Sequence, residues 1–185
     1  MPRSFIAIEA NEEVRNSLNE VQKELEQTGA DLKLVRSENI HMTLRFLGDI
    51  SEDRVGLFED VINKASKTDP FQIRVKGLGV FPDPGFIRVV WAGVSEGSEK
   101  VTSLRREVDK ELDKINHPPD DKEFTPHFTI ARVKSGKAKS EINSIVENKS
   151  DEEWGIVKVD RIELKESELT SKGPIYTTLE KAELG

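Results

Sequence analysis

The chain has 185 residues, of which 35% are hydrophobic and 34% charged, and a formal net charge of −7. That length supports one domain, or two small lobes packed closely together, and the absence of cysteine excludes disulfides, thiol nucleophiles and zinc–thiolate sites. The acidic balance excludes broad affinity for a nucleic-acid backbone, which shows as a basic domain, but leaves room for a compact site that grips one phosphate.

No run approaches the roughly 18 apolar residues of a membrane span. The opening "MPRSFIAIEA" is too short and too quickly acidic for a secretory signal, so a cytoplasmic protein with no membrane partner is expected. In chain order, "SFIAIEA" alternates as a strand, and Asn11 caps a helix whose Val14, Leu18, Val21 and Leu25 recur at spacings of three and four until Gly29 ends it. "HMTLRFL" is a strand, and Ser51 caps a second helix running to about Ser66. "FQIRVKGL" and "FIRVVWAGV" are strands on either side of the turn-rich "GVFPDPG". A third helix, 97–115, carries Val101, Leu104, Val108, Leu112 and Ile115 on one face. "HFTIARV" is the next strand, followed by a short helix at 138–148 and strands at "GIVKVDRIEL" and "IYTTLEKAEL".

Two of the three histidines sit in matching settings, "HMTLRFLG" at 41 and "HFTIARVK" at 127. Shifting the chain by the 86 residues that separate His41 from His127 lays strand on strand and helix on helix through four elements. Side-chain identity outside the motifs is poor, so architecture is repeated more than sequence. The expected fold is therefore α+β: a single bilobal domain over 1–185, its two lobes related by a pseudo-twofold axis. Each lobe has mainly antiparallel sheet, helices on the outer face, and one His-x-Thr strand facing a central cleft.

Residues two apart on a strand share a face. His41 with Thr43, and His127 with Thr129, therefore point one way, while Met42, Leu44 and Phe46, or Phe128 and Ile130, point to the helices. Two imidazoles flanking one bond form an acid/base pair near neutral pH, and threonine hydroxyls can donate to phosphate oxygens. That set suits phosphodiester cleavage. A zinc site would need a third ligand; His117, in the Pro- and Asp-rich "INHPPDD", reads as a surface loop residue, so no metal is expected. Ser-His-Asp chemistry lacks a nucleophile elbow. The run Arg132, Lys134, Lys137 and Lys139, with no acid before Glu141, is either a solvated basic turn or part of a phosphate site.

With these residues in place, the chain resembles the two-histidine phosphoesterase superfamily, and within it the RNA 2′,3′-cyclic phosphodiesterase branch, also called LigT-like or 2′-5′ RNA ligase. The stretches that carry the resemblance are "RSFIAIE", "ENIHMTLRFLGDI", "GLGVFPDPGFIRVVWAGV", "FTPHFTIARV" and "ELKESELTSKGPIYTTLE", nearly the whole chain. The resemblance implies opening of a 2′,3′-cyclic phosphate at an RNA end to a 2′-phosphomonoester, and ATP-independent joining of tRNA halves through a 2′-5′ linkage, with no cofactor or metal. It implies that His41 is the proton donor, His127 the proton acceptor, and Thr43 and Thr129 the phosphate holders.

The resemblance favours Arg132, three residues past Thr129, as a phosphate or ribose contact, although ideal strand parity turns it away from His127 unless a bulge intervenes or the strand ends after Ile130. Arg45 has the right parity with His41 and ranks second. Phe5 is either a stacking platform for a terminal base or a core residue. A monomer is expected. An RNA 3′-end-trimming exonuclease, or a nucleotide or RNA-end binding module without turnover, are the alternative functions.

Overall fold

The computed structural model describes residues 3–185. Its strands are β1 (Arg3–Glu9), β2 (Leu32–Leu34), β3 (His41–Asp49), β4 (Phe71–Asp83), β5 (Phe86–Val94), β6 (His127–Val133), β7 (Glu153–Val159), β8 (Arg161–Thr170) and β9 (Gly173–Glu183). Its helices are α1 (Glu12–Gln27), α2 (Val55–Ala65), α3 (Ser98–Lys114) and α4 (Lys139–Asn148), and short 3₁₀ turns lie at Ser37–Asn39 and Glu52–Arg54. Among the described residues, no helix is long and apolar enough to cross a membrane.

Each helix forms where apolar residues recur on one face. Val14, Leu18, Val21 and Leu25 of α1, and Val101, Leu104, Val108 and Leu112 of α3, are all buried, each contributing about 1.5–3 kcal/mol of transfer free energy. Asn11 caps α1 as its position suggests, its side chain accepting from the Val14 amide at 3.0 Å, and Gly29 breaks the helix at φ +77°. Ser51 does not act as expected: it precedes a 3₁₀ turn, with no side-chain capping bond, and α2 begins only at Val55.

The strands build two antiparallel sheets, ordered β3-β1-β8-β9 and β2-β6-β5-β4-β7. Helices α2 and α3 pack together on the first sheet, and α1 and α4 cover the second. The result is the bilobal α+β arrangement that the repeat implies, but the lobes are not the halves of the chain. Helix α1 leaves a strand of the first sheet to cover the second, and α3 does the reverse. Strand β4, from the first half, lies beside β5, whereas β8, from the second, lies beside β1. Each lobe thus contains parts of both repeats.

Two strand boundaries differ from expectation. "GIVKVDRIEL" is not one strand: it breaks at Asp160, so that β7 ends an edge of the second sheet and β8 enters the first. The stretch "GVFPDPG" is mostly strand, since β4 continues to Asp83 and only Pro84 and Gly85 turn the chain into β5. The Asp83 carboxylate closes that turn by accepting from the Gly85 and Phe86 amides.

Candidate active site

Strands β3 and β6 each bury one face. Met42 and Leu44, like Phe128 and Ile130, are 0–1% exposed beneath the helices, so His41, Thr43, His127 and Thr129 emerge on the opposite faces, toward the cleft between the sheets. Both strands then bulge at the same place. Across from β3, Ala7 pairs with Thr43 but Ile6 with Arg45; across from β6, Trp91 pairs with Thr129 but Val90 with Ala131. The extra residue reverses the alternation that follows.

The bulge decides where the arginines go. Arg132 returns to the exposed cleft face of β6. Arg45 is turned the other way, contrary to the parity expectation, and is 4% exposed. Its guanidinium is held behind the sheet by Asp109 at 2.6 Å on α3 and by the Pro118 carbonyl, and it does not face the histidines. Phe5 is likewise not a platform open to a base. It is 3% exposed, because the His41 ring stacks on it at 5.0 Å and Tyr176 and Phe46 close its other sides.

The hydrogen bonds fix both imidazole tautomers. His41 Nδ1 lies 2.7 Å from the Asn39 carbonyl and His127 Nδ1 lies 2.6 Å from the Thr125 carbonyl. A carbonyl only accepts, so each Nδ1 carries a proton and each neutral ring keeps its Nε2 lone pair for the cleft. The two sites differ beyond that point. The Thr43 hydroxyl lies 3.0 Å from His41 Nε2, whereas among the described residues no hydrogen bond engages His127 Nε2 or ties it to Thr129.

Aromatic rings enclose both histidines. Tyr176 meets the His41 ring edge-on at 5.3 Å, and Phe81 meets His127 in the same way at 5.0 Å with Trp91 at 5.9 Å. Burial is the main reason both imidazoles are harder to protonate than usual; it pushes His41 down to about 4 and lowers His127. The Arg132 charge depresses both, and His127 and Arg15 add to the effect on His41. A cation on β6 therefore acts across the cleft on an imidazole of β3, which places the two motifs in one electrostatic site. Arg132 also opposes the upward push that burial gives the Tyr176 phenol.

Beside His41, Glu9 bridges two cations: it pairs with Arg15 at 2.7 Å and with Lys165. Arg132, by contrast, has no carboxylate oxygen within 4.0 Å among the described residues, and so keeps an unneutralised cation on the cleft face for an anion. His117 stands apart from both motifs. It packs edge-on against Phe58 of α2 at 5.3 Å rather than lying free in a surface loop. Among the described residues, no group of three or more His, Cys, Asp or Glu side chains is assembled in metal-binding geometry.

Phe46, turned toward the helices by strand parity, is instead 66% exposed because the bulge reverses the alternation, and the residues that sequence reading did not single out here are Tyr176, Trp91, Phe81 and Arg15. The shift of 86 carried a signal for Trp91 and for Phe46, since it lays Phe5 on Trp91 and Phe46 on Arg132.

The family model described as LigT like phosphoesterase matches the chain twice, over residues 8–91 and 93–176. A protein of Methanothermobacter thermautotrophicus named RNA 2′,3′-cyclic phosphodiesterase is 37% identical, the match covering 96% of each chain. A protein of Aquifex aeolicus with the same name is 39% identical over 99% of this chain and 97% of its own. Among solved structures, a Thermus thermophilus protein aligns with a TM-score of 0.74 at 32% identity, covering 98% of this chain and 97% of its own. Escherichia coli LigT complexed with 3′-AMP shares the fold, with a TM-score of 0.78 at 20% identity over 100% of this chain and 99% of its own.

Proposed function

Because the chain belongs to the LigT-like phosphoesterase family, we propose that its cleft opens RNA 2′,3′-cyclic phosphate ends by acid/base catalysis between two histidines. His127 is the base. Its Nε2 removes a proton from a water that attacks phosphorus in line, and His41, protonated at Nε2, delivers a proton to the departing 3′ oxygen. One P–O bond forms and one breaks, leaving a 2′-phosphomonoester and a free 3′-hydroxyl. Thr43, Thr129 and Arg132 hold the nonbridging oxygens.

The observation that carries this reading is the arrangement of Nε2 atoms, turned toward one cleft by matching Nδ1–carbonyl bonds on two strands of two sheets. The division of labour has support of its own. Among the described residues no hydrogen bond engages His127 Nε2, whereas Thr43 already occupies His41 Nε2. His41 is the more depressed of the two, and an imidazolium of low pKa is the stronger acid once the negative charge of a bound phosphate has drawn a proton onto it from solvent. The opening assay is hydrolysis of cytidine 2′,3′-cyclic phosphate in chelator. The 2′-phosphate is expected; the 3′-phosphate would overturn the roles, and loss of turnover in chelator would overturn the metal-free mechanism.

An RNA 5′-hydroxyl in the place of water would join two ends through a 2′-5′ linkage in the same geometry, without ATP, and tRNA halves are substrates of that kind. The reading is of a cytoplasmic monomer.

A further inference from the structure

The cleft accounts for Arg132 but not for the cations around it. Arg132 is followed on the same edge by Lys134 and, past a turn, by Lys139 at the start of α4, and all are exposed. Lys134 lies about 7 Å beyond Arg132 along the chain direction. On one flank Lys33 of β2 is the direct partner of Arg132 and leaves the sheet on the same face. On the other flank Arg88 adjoins Val89, the residue paired with Arg132. None of Lys33, Arg88, Arg132, Lys134 and Lys139 has a carboxylate oxygen within 4.0 Å among the described residues, whereas Arg74, Arg105 and Lys149 each hold two acids. What sets these five apart is their nearness to one another, which makes a local basic patch in a chain of net charge −7.

Arg88, Lys134 and Lys139 also share a cavity of about 140 Å³ between the β4–β5 turn and α4, floored by Ile87 and Val133. Phe86 stands on its rim, 58% exposed, with the Arg88 guanidinium 5.2 Å above its ring. The nearest turn acid, Asp83, is committed to backbone amides. Lys139 and Asn143 tie the turn to α4 through the carbonyls of Gly85 and Pro84, so the walls are braced without a ligand.

We propose that this edge of the second sheet is the path of single-stranded RNA leading to the cyclic end. The terminal phosphate sits at Arg132 with Lys33 on its β2 side, the phosphates before it run past Lys134 into the cavity between Arg88 and Lys139, and a base stacks on Phe86. Phosphate-tracking cations beside an exposed ring are the elements from which single-strand sites are made. The proposal rests on the reading of the cleft as an RNA-end site.

The test compares a fluorescein-labelled oligoribonucleotide ending in a 2′-phosphate with the corresponding mononucleotide, by anisotropy and by competition, across a salt series. The unaltered protein should bind the oligomer at least about tenfold more tightly. In R88A/K139A the slope of log affinity against log salt should fall by about 0.7 for each phosphate that the variant no longer neutralises. Its kcat/KM for cytidine 2′,3′-cyclic phosphate should stay within about twofold. Equal affinity for oligomer and mononucleotide, or an unchanged salt slope in the variant, overturns the proposal. The anisotropy needs no turnover, so a protein that prefers the oligomer yet hydrolyses nothing sinks the reading of the cleft and leaves that of the edge.

Discussion

Phe46 and Arg132 occupy the same position in the two His-x-Thr strands: each lies three residues past its threonine, and the same bulge turns each to the exposed face. One lobe therefore presents an apolar ring where the other presents a cation. That asymmetry would draw a phosphate bound between the two histidines toward the second lobe.

Arg132→Ala should lower kcat/KM for a cyclic phosphate by about 10²-fold, the scale of a charged donor to a developing oxyanion. Arg45→Ala, on the corresponding strand, should leave kcat/KM within about threefold but cost roughly 1–3 kcal/mol of stability in urea unfolding, because Asp109 and the Pro118 carbonyl lose a buried donor. The reverse pattern would place Arg45 in the cleft.

Replacing either His41 or His127 with Ala should reduce kcat by about 10²- to 10⁴-fold. Binding of inorganic phosphate, followed by calorimetry, should persist in His127→Ala, since the threonines and Arg132 remain. Full turnover in either variant would remove that residue from proton transfer.

In the free protein one imidazole holds its proton only to about pH 4 and the other lies below its ordinary value. The kcat/KM profile should therefore peak between about pH 4 and 6.5. Arg132→Gln removes a charge that depresses both groups. Proton NMR of the imidazoles should show both titrations moving to higher pH, with the activity maximum following them.

The same depression affects folding. Unfolded His41 takes a proton near pH 6.5, whereas the folded one stays neutral to about 4, so between those values the unfolded chain holds more protons. Stability should fall as pH drops through that window, by at most about 3 kcal/mol from this group, since part of its ring remains exposed. Urea unfolding of His41→Gln should show a correspondingly flatter dependence between pH 7 and 4.5.

Gly79→Ala tests the aromatic wall. A Cβ there would stand 2.2 Å from the Trp91 ring, which packs against His127. The ring must move, at a cost of about 1–3 kcal/mol. A shift in tryptophan emission with lowered kcat is expected; unaltered emission and activity would show that Trp91 does not hold the imidazole in place.

The helices and the two motif strands were legible because a repeat of three and four, or of two, depends only on near neighbours along the chain. Lobe membership was not. Whether β4 joins β5 or β1 depends on pairings far apart in sequence, and the break at Asp160 that sends β8 to the other sheet leaves little local trace. The same holds at the site. The faces of His41 and Thr43 followed from parity, but the fate of Arg45 depended on a bulge set by its pairing with β1. Phe5 turned out to be covered because Tyr176, more than 170 residues later, closes over it.

The position of β8 also bears on how the protein is made. Strand β1 pairs with β3 on one side and β8 on the other, Ala7 with Thr43 and with Glu163, so the first sheet can begin as a β1–β3 pair but is completed only when β8 and β9 arrive. Until then Phe5 and His41 lack Tyr176 of β9, which closes over both, while β4, β5 and β6 can already assemble. Folding in the order of synthesis thus completes the second lobe before the first, and the cleft exists only once the final hairpin has emerged.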